Sequence, residues 1–259
     1  MDQVCPCYPI AMPLRVGIIY TQMKLRRANE HLDKLKGEVR RYRDNAYTIT
    51  RQDDLENGMH IASIEQAITP DPLALLVGEF AYSVRSALDH LAWQLALLTT
   101  DKPGRQTCFP IDSECPLPSN KSYREKIANI SPVALSVIES LQPYKTWSTF
   151  KSHPLWQLNK LCNIDKHQVM AVSCVEFAVG IYGVSEFKRR DFDHTIEISV
   201  PLSEKNIFQL EVNVPDVVFG EPIDVTDGVA AFEIRLDGLS KIYDFVGFDV
   251  VPKFVRFFT

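Results

Sequence analysis

The spacing of apolar residues changes along the chain, from a helical period in its first part to an alternating period after about residue 170. From Met23 to Arg43 the apolar residues recur at intervals of three and four, which is the pattern of an amphipathic helix. A second helical stripe runs from about Leu73 to Leu98. The segments Thr195–Val200 and Phe208–Val214 instead alternate polar with apolar side chains, as strands with one solvated face do. The sequence therefore predicts an α+β fold.

Shorter signals place the remaining elements. The runs Tyr47–Thr50 and His60–Ile64 surround an Asn57-Gly58 turn and predict a β-hairpin between the two long helices. Further helices are predicted at Tyr123–Asn129, Pro132–Leu141 and Pro154–Val169, and further strands at Val169–Val184, Val229–Leu236 and Tyr243–Val251. We therefore expect a poorly ordered N-terminal extension over residues 1–22, a helical domain with an inserted β-hairpin over 23–170, and an antiparallel β-rich domain over 171–259.

The charge of the chain is unevenly distributed. The net charge is −5, but residues 191–259 contain 13 acidic against 5 basic residues, which leaves +3 on the first 190. Between Lys24 and Arg43 there are eight Lys/Arg against three Asp/Glu. A polyanion such as RNA is therefore expected to bind the helical part, if it binds at all. A solvated helix face is the simpler interpretation of the same charges.

No segment approaches the roughly 18 uninterrupted apolar residues that cross a bilayer. The first twenty residues also lack the basic start and apolar run of a signal peptide. We therefore expect a cytoplasmic protein without membrane contact. We also expect no cofactor. In that compartment the six cysteines are expected to be reduced thiols: Cys5, Cys7, Cys108, Cys115, Cys162 and Cys174.

A polar cluster lies beside the apolar stripe in the middle of the second long helix. Arg85 and Asp89 are four residues apart, so they can pair on one helix face. His90 lies about 100° further round the helix, and Glu79, eleven residues earlier, shares its face. Because burial of an isolated charge is costly, these side chains are expected to have partners or water.

A second polar set is predicted on the helix over residues 154–169. Asn159, Asn163 and His167 recur every four residues, and Asp165 and Lys166 lie between the last two. Packing of this polar face against that of the second long helix would form a small polar pocket. The candidate binding residues are therefore Glu79, Asp89, Asn163, Asp165, Lys166 and His167.

Five segments of the chain form a combined pattern: Arg26-Arg27-Ala28-Asn29-Glu30-His31-Leu32, Gly78-Glu79, Arg85-Ser86-Ala87-Leu88-Asp89-His90-Leu91, Phe109-Pro110-Ile111 and Asn163-Ile164-Asp165-Lys166-His167. In this pattern the chain resembles a family of uncharacterised bacterial proteins, from about residue 22 to 170 and more loosely beyond. No activity is implied by that resemblance.

The spacing of Arg85 and His90 also resembles the R-x4-to-6-H motif of HEPN domains, small helical modules that are often metal-independent RNases. The resemblance implies that His90 acts as acid or base at a ribose 2′-hydroxyl or leaving oxygen, and that Arg85 is the phosphate clamp. It further implies RNA as partner and a homodimer, because HEPN RNases commonly complete the site across a dimer. Ser86 follows the arginine, where that family usually has Asn, Asp or His.

A non-catalytic binding or scaffold protein is the alternative from a different class. In that case Arg85 and Asp89 are an intrahelical ion pair, and His90 and His167 are satisfied core histidines. The same cluster would then be structural or hold a small ligand.

Other chemistries have less support in the residues. The H-x3-H or E-x2-H spacing that would place two metal ligands on one helix face is missing. The chain also lacks the nucleophile elbow, the P-loop and the G-x-G-x-x-G loop, which counts against α/β-hydrolase, NTPase and dinucleotide-binding functions. A bundle metal site, if present, would draw on Glu79, His90, Asp165 and His167.

Overall fold

The computed structural model describes residues 14–168, 170–174, 178–213, 217–221 and 232–258, and these form two compact units. The helical unit comprises Met1–Leu32, Gly78–Gln168 and Asp237–Thr259, and the sheet unit comprises Asp33–Val77 and Val169–Leu236. The predicted α+β class is confirmed. The units differ from the predicted division at residue 170, because the hairpin belongs with the later strands and the C-terminal helices belong with the earlier ones.

Most helices lie where the apolar periodicity predicts them. The stripe residues of the first helix, including Leu32 and Leu35, are buried, as are Phe80, Val84 and Leu88 of the second. In the described ranges no helix is both long and apolar enough to span a membrane. The α-helices are α1 Leu14–Asp44, α2 Pro72–Leu97, α3 Lys121–Lys126, α4 Pro132–Ser140, α5 Pro154–His167, α6 Leu236–Asp244 and α7 Val251–Val255, with a 3-10 segment at Pro143–Ser152 and a π-helical segment at Phe245–Val250.

The first helix starts earlier than its apolar stripe suggests. It begins at Leu14, nine residues before Met23, so the latter part of the expected N-terminal extension over 1–22 is helical. Residues 1–13 lie outside the described residues. The prolines of the first twenty residues, the last of which is Pro13, interrupt the apolar periodicity. The sequence pattern therefore does not indicate where this helix begins.

The described strands form three antiparallel sheets in the sheet unit. The predicted hairpin is confirmed: Gly58 has a φ of +65°, and the Asn57 amide donates to Asp54 Oδ1 at 3.1 Å. Ile64 and Ile198 are buried in the hydrophobic core of the sheet unit. The sheets are β1-β2-β6-β5, β3-β8-β9 and β4-β7, built from β1 Tyr47–Asp54, β2 Met59–Gln66, β3 Ala171–Cys174, β4 Ala178–Tyr182, β5 Lys188–Phe192, β6 Thr195–Pro201, β7 Gln209–Asn213, β8 Val217–Gly220 and β9 Glu233–Arg235.

The predicted strand at Tyr243–Val251 is wrong, because this segment is helical. It lies in the continuous run of α6, the π-helical segment and α7, which belongs to the helical unit. The apolar, β-branched composition suggests a strand, but the buried residues recur at intervals of three and four. That helical period is set by Leu239, Ile242, Val246, Val250 and Phe254. Of the predicted strand at Val229–Leu236, β9 keeps Glu233–Arg235, and residues 229–231 lie outside the described residues.

Candidate functional site

Arg85 and Asp89 of α2 together bind both polar atoms of one backbone residue, Phe109. The Arg85 Nη2 atom donates to the Phe109 carbonyl oxygen at 2.7 Å, and the Phe109 amide donates to Asp89 Oδ1 at 3.1 Å. The two side chains also pair with each other, since Arg85 Nε is 3.2 Å from Asp89 Oδ2 and Nη2 is 2.9 Å from Oδ1. Phe109 is fully buried, so its backbone atoms need such partners. The Arg85–Asp89 pair therefore holds the loop between α2 and α3.

His90 lies on a different side of α2 from Arg85. Five residues correspond to about 140° around a helix, and no hydrogen bond joins these two side chains in the described structure. The His90 ring is edge-on to Tyr20 of α1, with 5.8 Å between centroids. Its Nε2 atom is buried and has no hydrogen-bond partner among the described residues. Burial, and then the charge of Lys24, lower the pKa of His90, so its ring is neutral at pH 7.

A groove with basic side chains runs between α1 and α2. The Lys24 ammonium donates to Ser86 Oγ at 2.7 Å, and His31 Nδ1 lies 3.0 Å from Glu79 Oε2. Lys24 and Arg27 outnumber the single acid of the groove, and the Arg27 side chain is 66% exposed. We call this cavity of about 300 Å³ the basic groove; its lining is Lys24, Arg27, His31, Glu79, Tyr82, Ser83 and Ser86.

A second, smaller cavity adjoins α5. Two acids and two bases line it, so its formal charges cancel, unlike those of the basic groove. Asp165 and Lys166 come from α5, whereas Tyr82 and Ser86 of α2 also line the basic groove. We call this cavity of about 140 Å³ the small cavity; its lining is Tyr82, Arg85, Ser86, Asp89, Cys162, Asp165 and Lys166.

The Asp165 carboxylate lies against Gly78 of α2, in the space that a side chain at that position would fill. A β-carbon on Gly78 would overlap Asp165 Oδ1, so the carboxylate can hold this position only while residue 78 has no side chain. Asp165 has no hydrogen bond or ion pair within the described part of the chain. The carboxylate therefore lines the small cavity without a polar partner among the described residues.

The structure brings together only some of the predicted site residues. Arg85, Asp89, Asp165 and Lys166 line the small cavity, and Glu79 lies in the basic groove. The remaining three, His90, Asn163 and His167, line neither cavity, and the last two are exposed. The buried face of α5 is instead formed by Leu155, Leu158, Leu161, Cys162 and Ile164.

Seven residues that the sequence did not place in a site line these cavities: Lys24, Arg27, His31, Tyr82, Ser83, Ser86 and Cys162. Tyr82 of α2 is 65% exposed. An aromatic residue between two polar faces of a helix is the sequence signal that could have indicated a binding surface here. Lys24 and Arg27 belong to the basic helix, whose charges are more simply interpreted from the sequence as a solvated face. Cys162 is buried, and burial raises the pKa of its thiol to about 11, so it is no nucleophile at neutral pH. In the described ranges no three His, Cys, Asp or Glu side chains are placed to hold a metal ion.

No protein-family model matches the chain, and no curated protein or solved structure matches it significantly. Its function therefore has to be inferred from the chemistry of the side chains.

Proposed function

We propose that the protein is an RNA-binding module that does not cleave its ligand, and that its helical unit binds RNA in the basic groove. The observation that carries the proposal is the lining of this groove by Lys24, Arg27 and His31 next to the exposed ring of Tyr82. Proteins that bind single-stranded nucleic acid combine cations for the phosphates with aromatic rings for the bases. The excess of basic residues in α1 extends the favourable potential beyond the groove.

The geometry of Arg85 favours binding over cleavage. Its Nε and Nη2 atoms are committed to Asp89 and to the Phe109 carbonyl, its Nη1 atom is buried without a partner among the described residues, and the side chain is only 17% exposed. If it clamped a phosphate, the buried Phe109 backbone would lose a charge-assisted hydrogen bond. A HEPN-like endoribonuclease with Arg85 as phosphate clamp and His90 as acid or base is therefore the second candidate. The neutral imidazole of His90, with its unpartnered Nε2, is the observation in its favour.

The test is fluorescence anisotropy of a short labelled single-stranded RNA with the purified full chain, in EDTA and over a range of salt concentrations. We expect binding that weakens with salt. The salt slope should fall by about one in Lys24→Gln and in Arg27→Gln, because each substitution removes one cation that neutralises a phosphate. Lys121→Gln removes an exposed cation of α3 and is the matched control. Absence of binding by the wild type would overturn the proposal.

The same samples distinguish the nuclease. RNA that remains intact in EDTA supports a binding protein, whereas RNA that is cut by the wild type and spared by folded His90→Ala and Arg85→Ala variants would establish the HEPN-like endoribonuclease. Circular dichroism of each variant shows whether it is folded.

A further inference from the structure

The basic groove and the small cavity lie on opposite sides of one ridge on α2. Tyr82 and Ser86 are one turn apart and line both cavities. At about 100° per residue, Arg85 and Asp89 project to one side of this ridge and Glu79 to the other. Helix α1 completes the basic groove and α5 completes the small cavity. A ligand longer than either cavity can therefore occupy both by crossing the ridge.

The two cavities suit chemically different groups. The basic groove has an excess of cations, which suits a phosphate. In the small cavity, Arg85 and Lys166 are balanced by Asp89 and Asp165, so a second phosphate would meet an unpaired carboxylate. A neutral group with hydrogen-bond donors and acceptors suits this cavity best. A nucleotide carries both kinds of group.

The available side chains of the small cavity specify which base fits. Asp89 is committed to Arg85 and Phe109, whereas Asp165 has no partner within the described chain. A carboxylate offers two parallel acceptors, and guanine alone among the four RNA bases presents two adjacent N–H donors, at N1 and N2, on its Watson–Crick edge. Lys166 in the same cavity can donate to the guanine O6 atom. Tyr82 stands exposed beside it as a stacking surface.

We propose that the small cavity binds a guanine base while the basic groove binds the adjoining phosphate, so that the protein recognises one guanosine nucleotide within RNA. This inference rests on the proposed RNA binding and adds its specificity. Asp165 accepts from guanine N1–H and N2–H, Gly78 makes room for its carboxylate, and Lys24 and Arg27 contact the phosphate.

The experiment is a competition against the labelled RNA by unlabelled RNAs that differ at a single central base. Guanine is compared with inosine, which lacks the N2 amino group, and with adenine, which lacks both N–H donors. We expect affinity to fall in that order, with a loss on the order of tenfold from guanine to adenine. The variant Asp165→Asn should bind the guanine and adenine RNAs almost equally, whereas Glu125→Gln, a change of an exposed acid on α3, should keep the preference.

The outcomes separate the two proposals. Equal binding of all the RNAs by the wild type would overturn the guanine pocket and leave RNA binding intact. An unchanged preference in folded Asp165→Asn would also overturn it. Guanosine monophosphate that competes where adenosine monophosphate does not would support the pocket and show that one nucleotide is sufficient. No binding of RNA or of guanosine monophosphate would overturn both proposals.

Discussion

The carboxylate of Asp165 on α5 lies where a side chain on Gly78 of α2 would be, so that Oδ1 overlaps the position of an ideal β-carbon. Glycine inside a helix normally costs about 0.5–1 kcal/mol relative to alanine. We predict that Gly78→Ala gains less than this stability, because Asp165 must move away. In an Asp165→Ala background the same change should stabilise by about that amount. A double-mutant cycle in urea measures the coupling.

Gly37 of α1 supplies the comparison. No atom lies within 4 Å of its ideal β-carbon, so Gly37→Ala should stabilise by about 0.5–1 kcal/mol. Equal gains at Gly37 and Gly78 in the wild-type background would show that Asp165 does not constrain Gly78.

Loss of the Asp89 carboxylate should destabilise the helical unit. Asp89→Ala leaves the Phe109 amide without its acceptor and Arg85 without its counter-ion, which together should cost about 2 kcal/mol. Glu125→Ala removes an exposed partner of Lys121, 3.8 Å away, and should change the free energy of unfolding by less than about 0.5 kcal/mol. Urea unfolding at neutral pH checks both. A loss at Asp89 no larger than that at Glu125 would contradict the structural role of the pair.

The sequence predicts those parts of the fold that depend on local periodicity. The apolar stripes of α1 and α2 and the Asn57-Gly58 turn are local signals, and all are confirmed. Strand β5 has no such signal, because its sequence is charged and every side chain is exposed. It forms a strand because it pairs with β6, and the sequence of one strand does not predict which strand it will pair with.

The candidate site, like the fold, is predictable from the sequence only where it depends on local spacing. The Arg85–Asp89 pair follows from a spacing of four and is confirmed. Its partner Phe109 lies in a loop rich in proline, about twenty residues away, where no pattern indicates which backbone group will be buried. The approach of Asp165 to Gly78 depends on how α5 packs against α2. The spacing of five already places Arg85 and His90 on different sides of α2, but it does not predict that their neighbours are Phe109 and Tyr20.

The described cysteines should differ sharply in reactivity. Burial raises the pKa of Cys162 to about 11 and its thiol donates to the Ala81 carbonyl, whereas Cys115 is exposed. At neutral pH we expect a thiol reagent to label Cys115 rapidly and Cys162 only after denaturation. Mass spectrometry of digested protein locates the labelled residues, and Cys115→Ser is the control for peptide assignment. Equally rapid labelling of Cys162 in the native protein would contradict its burial.

His153 should make stability depend on pH. Its Nδ1 atom accepts a hydrogen bond from the Leu155 amide at 3.2 Å and so caps α5, while its ring packs edge-on against Phe245. Burial lowers the pKa of His153 below its ordinary 6.5 in the folded state. The unfolded chain therefore binds the proton more readily, and stability is lost as pH falls below about 6.5 toward the folded-state pKa. His90, whose pKa is lowered as well, acts in the same direction.

The variant His153→Asn isolates this effect, because asparagine caps a helix without titrating in this range. We expect the wild-type free energy of unfolding to fall between about pH 7 and pH 5, and that of His153→Asn to fall less. Both are measured by urea unfolding at several pH values. His167→Asn, which removes an exposed imidazole at the other end of α5, is the control. If the wild-type and His153→Asn curves run parallel over this range, protonation of His153 does not compete with the cap, and the loss of stability in acid then arises from other groups, His90 among them.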